Sequence, residues 1–151
     1  MNLDIQRIFQ NSNIPDDSQI KAWAALALLE DNCNSEILIR IVDENESAAL
    51  NQQYRQKSGP TNVLSFPFDA PENLELNLLG DLVVCAPVVE KEAEQQGKSI
   101  NDHWAHIIIH GLLHLQGFDH IEEKDANAME ALEINLLKKI NINNPYFQEN
   151  Y

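Results

Sequence analysis

The sequence predicts an α+β domain of about four strands and about five helices. Three observations carry that expectation. Short apolar runs with period-two alternation stand beside longer segments with helical spacing. Capping residues, Gly and Pro punctuate the boundaries between them. One segment, 100–116, is helical in pattern yet apolar nearly all round, so it belongs in the interior. At 151 residues the chain has material for one core and no linker or repeat, and it reads as a single domain, 1–151.

In order along the chain, Leu3 to Phe9 alternates apolar and polar residues and reads as a first strand. Asp16 and Asp17 after Pro15 cap a helix through about Glu30, in which Ile20, Trp23, Ala24, Ala27 and Leu28 recur at helical spacing. Glu36 to Asp43 (EILIRIVD) is a strand with Ile37, Ile39 and Ile41 on one face. Glu44 to Gln56 follows as a short helix, broken by Lys57-Ser58-Gly59-Pro60. Asn62 to Phe68 is a strand whose Pro67 demands an edge position or a strand end. Leu78 to Cys85 is an apolar strand carrying one carboxylate, Asp81. Ala86 to Gln96 is an amphipathic helix stopped by Gly97. Ser99 caps the long helix from Ile100 to Gln116, which Gly117 ends. The last helix, near Glu122 to Ile140, is acidic at its start and basic at Lys138 and Lys139, as the helix dipole favours.

Composition narrows the function. A net charge of −14 repels a phosphate backbone at long range, so nucleic acid cannot be bound through bulk charge. Any RNA role then needs a local basic spot, a metal ion or a partner that brings the RNA. The N-terminus lacks the basic and apolar regions of a signal peptide, and no apolar run reaches membrane length. The expectation is a cytoplasmic protein with no membrane partner. Cys33 and Cys85 fit no metal or redox spacing and read as buried, reduced thiols.

The interior helix carries four histidines, and buried polar groups need partners. At about 100° per residue, His103, His110 and His114 fall within about 40° of one another, with His106 about 60° to one side. His110 and His114 are one turn apart, so both imidazoles can reach one ion. The chain then turns at Gly117 and returns a third imidazole, His120. The string HGLLHLQGFDH has the ligand spacing of the zinc-protease motif H-E-x-x-H-x-x-G-x-x-H, including its Gly. Three protein ligands leave a position for water, the arrangement of catalytic zinc, one ion per chain. The protease, however, has a Glu directly after the first His as its general base, and here that position is Gly111. Proteolysis is therefore disfavoured. Asp81 and Asp119 are the nearest candidates for a base or for supporting the ligands. Arg55 and Lys57, in a loop with Gly59, Pro60 and Thr61, form a candidate phosphate-binding spot, against the alternative of a solvated helix end.

HGLLHLQGFDH, together with YRQKSGPTNVLSFPF and LLGDLVV, resembles the YbeY family of bacterial endoribonucleases, over about Ile37 to Pro145. The resemblance implies a small α+β domain with a mixed sheet and a buried central helix bearing two metal ligands. It implies a metal-dependent, single-strand-specific endoribonuclease acting on ribosomal RNA, notably at the 3′ end of the small-subunit RNA, and in ribosome quality control. The implied partners are RNA rather than DNA, and the small ribosomal subunit with its associated proteins. The metal ligands carry over onto His110, His114 and His120, and the functional arginine onto Arg55. Two positions depart from the family: Phe118 replaces the commoner Tyr, and Asn62 stands where many members have Asp. Two alternatives remain, an assembly factor with a structural metal and little nuclease activity, or another metal hydrolase such as a peptidase.

Overall fold

The computed structural model describes residues 1–32, 34–68, 78–118 and 123–146. The elements are β1 (Asn2–Arg7), α1 (Asp17–Ala27), a 3-10 turn (Glu30–Asn32), β2 (Glu36–Val42), α2 (Glu44–Arg55), β3 (Val63–Pro67), β4 (Leu78–Cys85), α3 (Ala86–Gln96), α4 (Ile100–Leu115) and α5 (Glu123–Lys138). The four strands form one mixed sheet in the order β1-β2-β4-β3. The first three of these are parallel, and β3 runs antiparallel to β4 at the edge. The α+β class and the mixed sheet agree with expectation. So does the edge position of the strand that contains Pro67, which lacks an amide to offer a second neighbour.

The alternation read in EILIRIVD sorts the molecule into two layers of core. Ile37, Ile39 and Ile41 of β2 join Leu82 and Val84 of β4 on one face. That face is covered by α1, through Ile20, Trp23, Ala24 and Ala27, and by α4. Val42, Leu64, Val83 and Cys85 lie on the opposite face under Leu50 of α2. Cys85 is buried, and burial pushes its thiol up, which keeps it protonated as expected of a packing cysteine. Cys33 lies outside the described residues. No helix among the described residues is long and apolar enough to cross a membrane.

Helix α4 is the centre of the fold. Trp104, Ala105, Ile108, Ile109, Leu112 and Leu113 are fully buried, and they point in directions that span the helix circumference. Ser99 caps its start, its hydroxyl accepting from the Asp102 amide at 3.0 Å. Gly117 follows its end at φ +100°, the left-handed region that turns the chain back.

Several ends differ from expectation by one to three residues, and two of them have a visible cause. Helix α1 stops at Ala27 rather than near Glu30. The Gln116 side chain donates to the Ala27 carbonyl at 2.9 Å and accepts the Leu29 amide at 2.8 Å, so a residue from beyond α4 satisfies the helix end. Strand β1 stops at Arg7 rather than Phe9. There the amides of Ile8 and Phe9 both turn to the Ile41 carbonyl, which breaks the ladder.

Candidate metal centre

The four histidines of α4 form a ladder, with ring centroids 6.0 Å apart from His103 to His106, 6.0 Å from His106 to His110, and 4.7 Å from His110 to His114. Burial relaxes along it: His103 is 3% exposed, the His106 side chain 12% and the His110 side chain 24%, with His114 half-buried. The inner end is closed and the outer end meets solvent.

At the inner end His103 Nε2 lies 2.9 Å from Glu92 of α3, and Asn62 donates to the same carboxylate at 3.1 Å. Burial raises the Glu92 carboxyl, but these hydrogen bonds outweigh it and hold the group below its ordinary range. Asn62 thus uses its amide to steady Glu92, a contact that an Asp at 62 would replace with like-charge repulsion.

The middle of the ladder meets α5. Glu133 is fully buried between Met129 and Leu137, and its two oxygens are divided. Oε1 accepts from His110 Nδ1, and Oε2 accepts from the Tyr146 hydroxyl. His106 Nε2 lies 3.2 Å from the Tyr146 hydroxyl and 3.7 Å from Glu133 Oε2. Burial alone would raise the Glu133 carboxyl. The His106 ring 3.7 Å away and the hydrogen bonds from His110 and Tyr146 overcome it and bring the group down to about 2. Burial lowers His106, which favours its neutral ring, although Glu133 opposes that shift. Tyr146 is pushed up by burial and by the Glu133 carboxylate, so its hydroxyl keeps its proton.

Among the described residues, one group can hold a metal ion: His106, His110 and Glu133, whose ligand atoms all lie within 4.8 Å of one another. Imidazole nitrogen with carboxylate oxygen is a donor set suited to zinc. His110 also faces outward to His114, their rings crossing at 78°, the arrangement expected of two residues one turn apart. His120 and Asp119 lie outside the described residues.

The remaining candidate residues are dispersed. Asp81 pairs with Phe66 across the β3–β4 ladder and alternates with Leu82, so it projects from the face opposite α4 and is exposed. That placement removes it from the neighbourhood of the histidines. Arg55 ends α2 and Lys57 follows the left-handed cap residue Gln56, and both are exposed. Tyr54 meets Phe66 edge-on at 5.1 Å, which seats this end of α2 against β3. The following loop is pinned by Asn51 to the Gly59 carbonyl and by Ser47 to Thr61. Among the described residues, no side-chain hydrogen bond or ion pair holds the Arg55 guanidinium.

Gly111 lies on the sheet side of α4. A Cβ there would sit 2.9 and 3.1 Å from the Leu82 methyls and 3.2 Å from Val63 Cγ2. The position that bears the protease's general base therefore faces the sheet, and no side chain placed on it points toward a metal at His110. Phe118 packs, partly buried, against the same core.

Residues 6–141 match the family model described as Endoribonuclease YbeY. The chain belongs to the YbeY family. It is 54% identical over 146 residues to Endoribonuclease YbeY of Methylococcus capsulatus, covering 97% of this chain and 95% of that protein. It is 52% identical over 147 residues to the protein of that name from Pseudomonas putida, covering 97% and 93%. The solution structure of TM1509 from Thermotoga maritima matches with a TM-score of 0.60 at 25% identity, over 91% of this chain and 88% of that one. The YbeY resemblance read from the triple-histidine string and the two flanking motifs is thereby established.

Glu133, Tyr146 and Glu92 escaped the sequence reading. Glu133 had a legible signal: Met129, Glu133, Leu136 and Leu137 share one helical stripe, and a carboxylate on an apolar stripe requires a buried partner.

Proposed function

We propose that this chain is one domain acting as a zinc-dependent, single-strand-specific endoribonuclease in the cytoplasm. His110, His114 and His120 hold the ion, and Arg55, assisted by Lys57, binds phosphate. The observation that supports this best is the convergence of the His110 and His114 rings at 4.7 Å on the half-buried end of α4, in a chain whose relatives are named endoribonucleases. Zinc bound by three imidazoles supplies a Lewis acid that lowers the pKa of water and offsets phosphoryl charge. The chain's own groups do the rest. His110 and His114 present ring nitrogens from one face of a buried helix. The guanidinium of Arg55, on an anchored helix end, offers a planar fork to phosphate. With a net charge of −14, the RNA comes to the site through a partner, for which the small ribosomal subunit and its proteins are the natural candidates. The substrate on this reading is ribosomal RNA, at the 3′ end of the small-subunit RNA, with a part in ribosome quality control.

The test is cleavage of a single-stranded RNA by highly purified protein, with and without chelator, beside His114→Ala. Chelator and substitution should each abolish cleavage, and zinc should restore only the wild type. Cleavage by His114→Ala at the wild-type rate would overturn the assignment. A 2′,3′-cyclic phosphate end would identify the ribose 2′-hydroxyl as the nucleophile, and a 5′-phosphate end would identify water. One observation favours a second reading: the closed group of His106, His110 and Glu133 is suited to a structural ion, which would make the chain an assembly factor. In that case the metal stays bound in His114→Ala.

A further inference from the structure

We infer that Glu133 is a positioning residue: it holds the His110 ring with the Nδ1 proton turned inward, so that Nε2 is the nitrogen presented for zinc. The inference rests on the reading of His110 as a ligand, and it deepens that reading by naming the group on which the ligand's orientation depends.

A fully buried carboxylate is costly unless hydrogen bonds satisfy it, and an apolar residue of similar size commonly packs as well or better. Packing of α5 on α4 therefore gives no reason for Glu133 among Met129, Leu136 and Leu137. Its hydrogen bonds do. An ionised carboxylate only accepts, so the proton in its bond with His110 sits on Nδ1. That leaves one tautomer, with the ligand lone pair on Nε2. The second oxygen takes the Tyr146 hydroxyl, with His106 Nε2 3.2 Å from that same hydroxyl. The carboxylate is held from both sides, and the ring it holds cannot swing freely.

The same geometry counts against Glu133 as a ligand itself. Both its oxygens already accept from N–H or O–H donors, and it has no exposure to solvent, whereas the His110 side chain is 24% exposed. An ion seated on Glu133 would have to displace the proton of His110 Nδ1 and the bond from Tyr146. Loss of such a supporting contact typically costs about 10–100-fold in metal affinity.

The experiment uses the full chain, stripped of metal and titrated with zinc against a chromophoric competing chelator at neutral pH. The variants are Glu133→Gln, Glu133→Ala, His106→Gln and His114→Ala. Long-range imidazole nitrogen–proton correlations on the metal-free protein read the His110 tautomer, and thermal melts of the same samples read stability. The wild type should show His110 protonated on Nδ1. Glu133→Gln should weaken zinc by about 10–100-fold while still binding it, because the amide oxygen remains an acceptor. Glu133→Ala should weaken it further, His114→Ala should lose tight binding, and His106→Gln should match the wild type. A merely structural Glu133 would lower the melting temperature but leave the zinc affinity of the folded protein unchanged, and that result would overturn the inference while the three-histidine site stands. Zinc lost in His106→Gln and Glu133→Gln but retained in His114→Ala would place the ion on the inner group and overturn both. If Glu133→Ala fails to fold, Glu133→Gln and the tautomer measurement still decide.

Discussion

Replacing Gly111 by Ala sets two known effects against each other. Alanine in a helix interior is favoured over glycine by about 1 kcal/mol, so propensity alone predicts a more stable protein. The added Cβ, however, would lie 2.9 and 3.1 Å from the two Leu82 methyls and 3.2 Å from Val63 Cγ2. Carbon atoms in good contact are about 3.5–4.0 Å apart. Leu82 is fully enclosed, so it cannot turn both methyls away, and Val63 is β-branched and stiff. Relief must come from α4 lifting off the sheet, and overpacking of this kind costs about 1–3 kcal/mol. The larger effect wins, and Gly111→Ala should destabilise the metal-free protein by on the order of 1 kcal/mol. For a domain of this length that is a fall in Tm of about 2–4 °C, readable by thermal melts and urea titration. Stabilisation by about 1 kcal/mol would refute the packing argument. Gly111→Glu is the sharper form: it buries a carboxylate against Leu82 and Val63, so it should abolish folding rather than install a protease base. A folded, peptide-cleaving Gly111→Glu variant would show that position 111 faces the metal after all.

Acid should destabilise the metal-free protein through Glu133 and His106, and also through Glu92, which its hydrogen bonds hold below the ordinary range. Glu133 is held near 2 against an ordinary value of 4.5, so its contribution, on the order of 3 kcal/mol, is complete above about pH 4.5 and is lost as pH falls toward 2. His106 is lowered by burial, so the unfolded chain takes up its proton first and stability already declines as pH drops through about 6.5. Glu133→Gln should flatten the limb between pH 5 and 2 in urea titrations; an unchanged slope would contradict the buried network. Tyr146 is raised, so stability should fall above about pH 10 as the unfolded chain ionises, and Tyr146→Phe should remove that tyrosine's share of the loss. Arg55→Lys keeps the charge but not the planar fork, and both it and Arg55→Ala should cleave RNA about 10²–10³-fold more slowly while keeping Tm and zinc content, since the side chain is exposed. Wild-type rates in Arg55→Ala would leave Arg55 as a solvated helix end.

Much of this protein is written in short-range patterns. Alternation in EILIRIVD separates the faces of β2, Pro67 consigns β3 to an edge, Ser99 and Gly117 bound α4, and the one-turn spacing of His110 and His114 puts their rings together. Each follows from periodicities of 2 and 3.6 residues or from the backbone preference of a single residue type, which act over a few neighbours and can be read without knowing the fold. What could not be read this way depends on how elements stack. Helix α1 ends where Gln116, 89 residues on, reaches the Ala27 carbonyl. Gly111 is required by Leu82 and Val63 on two strands whose approach only the packed sheet sets. Asp81, close in chemistry to what a metal site needs, is turned to the far face by the register of β4. Glu133 meets His110 across 23 residues because α5 lays its apolar stripe on α4. The stripe is local and legible, but the partner it brings to the carboxylate is decided by burial, which is a property of the assembled core.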